Sequence, residues 1–177
     1  FSKTIAINII ENETGKKINE LFDYFDNEPL AAASVAQVHK GTLKNGDDVA
    51  IKILRPNIED NLFSDFKLFY GIATILELFS KTFRRLNLKE IVFTFANSSL
   101  NEIDLRLEAA NCEQLRDNFS EFHEFGTPKI YWELTTMKML VSEYINAVRI
   151  DEIKNLQQPI NLKKVTKVAS EIFFYQV

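Results

Sequence analysis

One cation stands out in the segment Val49-Ala50-Ile51-Lys52. Lys52 sits between Ile51 and Ile53, where an ammonium is poor economy for a core but well placed to meet a phosphate or a carboxylate. On a strand, Ala50, Lys52 and Leu54 share one face, and Val49, Ile51 and Ile53 share the other. Ala50 beside Lys52 leaves room for a flat ring next to the cation. The alternative is a lysine on the solvated face of an edge strand, and spacing alone leaves the two readings about even.

Upstream lies Ala31-Ala32-Ala33-Ser34. Small residues let a loop's backbone amides approach a phosphate. Glycine does this more freely, because an alanine Cβ restricts φ. A small-residue element end packed on a sheet explains the alanines as well. Farther along, 101–111 reads as a helix. Asp104, Glu108 and Asn111 fall on one polar line, with Leu100, Ile103, Leu107 and Ala110 as the neighbouring apolar line. Such a helix could dock on a sheet and offer Glu108 to Lys52, the arrangement that V-A-I-K lysines adopt in protein kinases. Glu102 lies well round the helix, where an i,i+4 pair with Arg106 is the plain explanation. Ser142-Glu143-Tyr144-Ile145 follows an apolar run and could form a hinge whose backbone bonds a base edge, or a plain strand end.

The elements that must position these groups are read from periodicity. A helical pattern runs over 3–25, interrupted at Gly15. Strands are expected over 34–43 and 48–54, joined at Asn45-Gly46, the strongest short hairpin signal. A long apolar helix follows from Ile58 to about Leu88, then a second from a cap at Asn97 or Ser98 to Phe119. Strands are expected over 129–134 and 138–145, a short helix or loop over 151–158, and an amphipathic helix over 161–177. The fold class is α+β, an antiparallel sheet with helices packed on it.

Composition narrows the function classes. Twenty-one Lys and Arg against 25 Asp and Glu give a net charge of −4, which argues against a nucleic-acid partner. One cysteine, Cys112, excludes an internal disulfide framework and suits a reducing compartment. With only His39 and His123 beside it, no metal site is read from the sequence. His39, His123 and Trp132 are expected to serve packing or local hydrogen bonding. The longest apolar run, 68–76, is far below the roughly 20 residues that span a bilayer. The chain begins with Phe1 rather than Met, as expected of part of a longer protein.

Four segments together resemble the UbiB family of kinase-like proteins, also called aarF-domain-containing kinases. They are PLAAASVAQVHKGTL, DVAIKILRPNIE, NEIDLRLEAANCEQLRDNF and TPKIYWELTTMKMLVSEYINAVRIDEI. The likeness covers the chain from about Ile10 onward. SVAQVH, with Ala36 where other branches often carry Gly, is most similar to the bacterial branch associated with ubiquinone biosynthesis.

The resemblance implies a protein-kinase-like N-lobe over 1–146, with helices inserted at about 57–96. Residues 147–177 would leave the hinge and begin a helical C-lobe. Ala31, Ala32, Ala33, Ser34 and Val35 would replace a Gly-rich loop over the phosphates of ATP or ADP. Lys52 would bind nucleotide with Glu108 as its ion-pair partner, and Ala50 would lie in the base pocket. Glu102 and Asp104 match the family's E-x-D pair, implicated in metal or nucleotide handling. Ser142 would back the adenine pocket, with Glu143, Tyr144 and Ile145 as the hinge. Ala147 replaces a common glycine.

The family's K-x-G-Q helix would precede the matched region, and its catalytic loop and Mg²⁺-binding D-F-G would follow Val177. The segment alone is therefore expected to be inactive. The implied whole is an atypical kinase or ATPase at the cytoplasmic side of the bacterial inner membrane, with quinone-biosynthesis proteins or a lipid surface as partners. The alternative is a non-catalytic kinase-like scaffold that binds nucleotide, lipid or biosynthetic proteins.

Overall fold

The computed structural model describes residues 1–148, 150, 152 and 160–175. Helix α1 (Lys3–Thr14) buries Ala6 and Ile10, one turn apart on a single face. It stops at Gly15, whose φ of 69° lets its amide close back on the Glu11 carbonyl at 2.9 Å. A single turn, α2 (Ile18–Leu21), leads into strand β1 (Phe22–Phe25). The helix expected to continue to residue 25 is thus corrected. The aromatic run Phe22-Asp23-Tyr24-Phe25 pairs with the neighbouring hairpin instead, a tertiary gain that outweighs local propensity. Gly41 permits that pairing: a Cβ there would meet the Tyr24 carbonyl at 3.1 Å and Ile51 Cδ1 at 2.8 Å.

β2 (Ala31–Ala32) and β3 (Ala36–Leu43) form the upstream arm of the hairpin and β4 (Asp48–Leu54) the return. Gly46, at φ 89°, makes the turn at the predicted Asn45-Gly46. β5 (Met139–Glu143) completes an antiparallel sheet of order β1-β3-β4-β5, with β2 on β3. The strand expected over 129–134 is a correction. Ile130 makes an isolated bridge to Ser142, and Trp132–Leu134 is a 3-10 turn. The Thr135 hydroxyl donates to the Tyr131 carbonyl and accepts from the Val141 amide, so a side chain replaces the next rung of the ladder.

The register assigns each sheet face a partner. Val49, Ile51, Ile53, Met139 and Val141 pack with α1, α2 and β1 in one core. Ala36, Leu54 and Leu140 face the other way, onto Ile103, Leu105 and Ala109. The latter two belong to α6 (Leu105–Asn118), so helices cover both faces of the sheet.

Between β4 and α6 run α3 (Ile58–Phe79), α4 (Lys81–Leu86) and α5 (Leu88–Glu102). The expected single helix to Leu88 breaks at Ser80, which is extended. The expected cap at Asn97 or Ser98 is also corrected, because both lie inside α5 and the N-cap is Asp104. The Asp104 carboxylate accepts from the Arg106 amide at 3.1 Å, and the Leu105 amide donates to the Met137 carbonyl at 3.0 Å. That second bond anchors the start of α6 to the chain entering β5. Helix α7 (Leu162–Tyr175) matches its expected position. The expectation for 151–158 falls almost wholly outside the described residues. No helix among the described residues is long and apolar enough to cross a membrane.

Candidate functional site

Lys52 lies between Val38 on β3 and Leu140 on β5. Its Nζ donates to both carboxylate oxygens of Glu108, at 2.8 and 2.6 Å. The two residues are 56 positions apart, and the ion pair ties α6 to the middle of the sheet. The side chains stay 30% and 48% exposed, so the pair is worth about 1 kcal/mol or less in stability. The pair is therefore accessible from solvent.

Glu108 reaches Lys52 from a helix whose buried line differs from the expected one. Ile103, Leu105 and Ala109 are buried, while Leu107 and Ala110 are exposed. The break before Leu105 resets the phase, so periodicity counted from Leu100 does not carry through. Asp104 faces Arg106, which grips its carboxylate at 2.9 and 2.7 Å. That bond holds the Asp104 carboxyl below the usual range, against a smaller opposing effect of burial. Glu102 ends α5 exposed and makes no polar side-chain contact among the described residues. The expected E-x-D pair is therefore split into a helix cap and an unengaged carboxylate.

Beside Lys52 the sheet face opens. Ala31 pairs with Val38, and Ala50 lies between Lys40 and Ser142, with Val38, Ala50 and Ser142 half-buried. Α6 covers the Leu54 end of this face and leaves the Ala50 end free for a flat apolar group. Lys40 borders that end. It pairs with Asp48 at 3.0 Å and stands over the Tyr144 ring at 4.3 Å. The Asp48 bond raises Lys40 above the ordinary lysine value, while Lys40 first and Thr42 second hold Asp48 below the carboxylate range.

The alanine-rich segment is half strand, half loop. Ala31 and Ala32 pair with β3, and Ala33 donates to the Ala36 carbonyl at 2.9 Å. Among the described residues the amides of Ser34 and Val35 donate to no protein acceptor. Arg55, which sequence reasoning did not single out, braces this segment. Its guanidinium donates twice to the Ala33 carbonyl, at 3.0 and 2.8 Å, and its amide donates to the Val35 carbonyl at 2.8 Å. One residue therefore fixes both sides of the Ser34 turn. A cation just past a β strand, facing an alanine loop across the sheet, was the signal that could have found it.

At the hinge segment, the Glu143 amide is taken by the Lys129 carbonyl and the Tyr144 amide by the Asp48 carbonyl, at 2.8 and 3.0 Å. The register turns the Glu143 carbonyl away from β4. The Ile145 amide has no acceptor among the described residues. The backbone groups left without a backbone partner there among the described residues are thus the Glu143 carbonyl and the Ile145 amide, two residues apart.

His39 belongs to the opposite face. It is buried against Phe25, with Nδ1 3.3 Å from the Asp26 carbonyl, and burial lowers its pKa. Cys112 is half-buried, with Sγ 3.6 Å from the Pro128 carbonyl. The donor set at Lys52 fits a nucleotide: apolar face, cation, unused loop amides and a free base-edge pair. It does not fit Mg²⁺ by itself. Among the described residues no three acidic, His or Cys side chains converge, and Glu108 and Asp104 are already taken by Lys52 and Arg106.

Known proteins resemble this chain along its whole length. A family model described as ABC1 atypical kinase-like domain matches residues 1–177. A protein of Pseudomonas paraeruginosa described as probable protein kinase UbiB is 38% identical over 178 residues, spanning 100% of this chain and 33% of the relative. One of the same description from Pseudomonas putida is 39% identical with the same coverage. The chain therefore spans about a third of the length of these relatives. A solved structure described as the complex of Rv3197 with erythromycin, from Mycobacterium tuberculosis, superposes with a TM-score of 0.74. It is 26% identical and covers 88% of this chain and 38% of that one. The antiparallel sheet with α6 docked through Lys52–Glu108 is a kinase-like N-lobe, and the chain belongs to the ABC1 family of atypical kinase-like proteins.

Proposed function

We propose that this chain forms the nucleotide-gripping part of a UbiB-type, ATP-dependent atypical kinase or ATPase that supports ubiquinone biosynthesis at the cytoplasmic face of the bacterial inner membrane. The observation that carries the reading is the bidentate contact of Lys52 with Glu108 beside an open sheet face. Bound ATP would supply the phosphoryl group. The adenine ring would lie on Val38 and Ala50 in front of Ser142, its edge bonded by the Glu143 carbonyl and Ile145 amide. Lys52 would neutralise phosphate charge while Glu108 holds its ammonium in place. The Ser34 and Val35 amides would bind phosphate oxygens, as loop amides do elsewhere. In this reading Mg²⁺ comes with ligands outside these residues, and Glu102 is the one E-x-D member open to it. The 177 residues contain no D-F-G sequence, so the segment alone is expected to bind nucleotide weakly and not to turn it over.

The test is Mg-ATP binding and turnover by the intact protein. Lys52→Ala and Glu108→Ala are each expected to weaken ATP binding by about tenfold or more, the scale of a lost charge-assisted bond. Unchanged binding in both variants sinks the assignment. Binding that weakens in a protein with no turnover supports the second reading, a nucleotide-binding scaffold. The exposed apolar surface of α3–α5 favours that second reading's need for a partner.

A further inference from the structure

The alanine turn sits at the end of an arm that detours around one buried side chain. β1 and β2 both pair with β3, β1 at Gly41 to Leu43 and β2 at Gln37 and Val38. Between them residues 26–30 leave the ladder at the level of His39. The Asp26 amide donates to the Lys40 carbonyl and the Leu30 amide to the Val38 carbonyl, each at 2.8 Å. The detour is thus pinned to the backbone on either side of His39.

His39 itself is closed off from solvent, its ring stacked on Phe25 at 5.0 Å and 23°. Nδ1 lies 3.3 Å from the Asp26 carbonyl, which can only accept, so Nδ1 carries the proton. Nε2 is enclosed and meets no hydrogen-bond partner among the described residues. A bare ring nitrogen tolerates that enclosure better than the N–H of a cation, because an unpaired buried charge costs far more than an unpaired lone pair. Burial, the largest effect, accordingly holds the His39 pKa below the ordinary histidine value. The Asp26 carbonyl and the Asp26 and Glu28 charges on the connection oppose it, and the Phe1 amino group reinforces it. The other elements around the ring present apolar groups: Phe25 from β1, Ile51 across the pair from β4, and Ala6 and Ile10 as the buried residues of α1. Lys3 of α1 donates to the Asn27 side chain.

We propose that His39 is a positioning residue for the alanine turn: as the neutral imidazole it holds the 26–30 connection closed, and a proton taken up at Nε2 opens that connection and frees the turn beyond it. The effect on nucleotide affinity rests on the function proposed above, and the effect on the connection does not. The closed connection keeps its full advantage above about 6.5, the value of a solvated histidine, and loses it as pH falls from there toward the lower folded value.

The test is backbone hydrogen exchange of the intact protein, read by mass spectrometry and corrected for the intrinsic pH dependence of amide exchange. From about pH 7.5 to about pH 5.5, opening of peptides covering 26–34 is expected to rise by about fivefold or more, as uptake of one proton gives, while β4 and β5 stay unchanged. His39→Asn keeps a donor near the Nδ1 position and cannot titrate. Its 26–34 opening is expected to match the parent's at the higher pH and to stay flat. His39→Phe keeps a ring and loses the donor, so it is expected to be open at both ends of the range. A parent with no pH dependence over 26–34 overturns the inference. So does equal loosening of β4 and β5, or a His39→Asn variant that keeps the parent's pH dependence. The parent series needs no substitution, so it decides the matter even where a variant fails to fold. ATP affinity over the same range is expected to fall about threefold or more further in the parent than in His39→Asn, a comparison that cancels the titration of ATP itself. Equal falls in the two proteins overturn the positioning role. Absence of ATP binding by the parent at the higher pH sinks the nucleotide reading instead, and the exchange result then decides the role of His39 alone.

Discussion

The sheet with α6 and the helical insertion between them spend similar amounts of apolar sequence to opposite ends. β4 buries Val49, Ile51 and Ile53 to full exclusion of solvent, and the sheet is covered on both faces. Across α3, α4 and α5 only Phe66 and Ala73 are buried. Charged residues follow the same division. In the sheet region Lys52, Asp104 and Arg55 each have a defined partner. At the insertion's tip Arg84 and Lys89 bond Glu77, while Lys81 and Arg85 carry no ion pair among the described residues. The first region holds a defined geometry, and the second keeps most of its apolar side chains exposed among the described residues.

Core substitutions break this comparison most directly. Ile51→Ala is expected to cost about 3 kcal/mol in denaturant unfolding, because a fully buried side chain leaves a cavity in a two-sided sheet. Ile75→Ala, at a side chain 56% exposed in α3, is expected to cost about 0.5 kcal/mol or less. Equal costs would mean that the insertion is packed after all.

Arg55→Ala sharpens the sheet side. The variant is expected to bind ATP about tenfold more weakly while its affinity for adenosine is unchanged, since only the loop proposed to bind phosphate loses its clamp. Arg55→Lys, with one bond in place of two, should recover part of the loss. An equal loss for adenosine would make Arg55 a general structural residue.

Asp104 tests the junction between the two regions. Asp104→Ala is expected to cost about 1 kcal/mol through the lost N-cap. The folded-state pKa of Asp104 is lowered, chiefly by Arg106. Its charge-dependent stabilisation is therefore present in full above the unfolded value, near about 4, and is lost as pH falls through the lower folded value. Asp104→Asn, which keeps a capping oxygen, should show a flatter acid limb in unfolding measured below about pH 4. A slope identical to the parent's would remove Arg106 from the account.

A further small effect separates function from stability at Lys52. Lys52→Ala should change unfolding free energy by about 1 kcal/mol or less, because the ion pair is partly solvated. A much larger loss would mean that the pair is a structural bolt between α6 and the sheet.

The β3–β4 hairpin was legible because its signals are local: strict alternation in β4 and Asn45-Gly46 at the turn. Lys52 and Glu108 were each visible as candidates for the same reason. Other features depend on residues far away. β1 is a strand because β3 offers it an edge at Gly41, and α6 begins where Met137 accepts from Leu105. Counting a helix from Asn97 could not anticipate a break set by residue 137. Arg55 escaped notice because its partner, the Ala33 carbonyl, carries no side-chain signature.

By itself, the amino-acid order determined which side chains share a strand face and which segments favour turns or helices, since those follow from fixed backbone periods. It also carried the motifs that resemble the UbiB family. Only the tertiary structure decided that α6 starts at Leu105, that Glu108 reaches Lys52 across 56 residues, and that the described residues bury only Phe66 and Ala73 of α3. Those outcomes rest on cross-chain hydrogen bonds and shared burial, energies that belong to pairs of distant residues and not to any one of them.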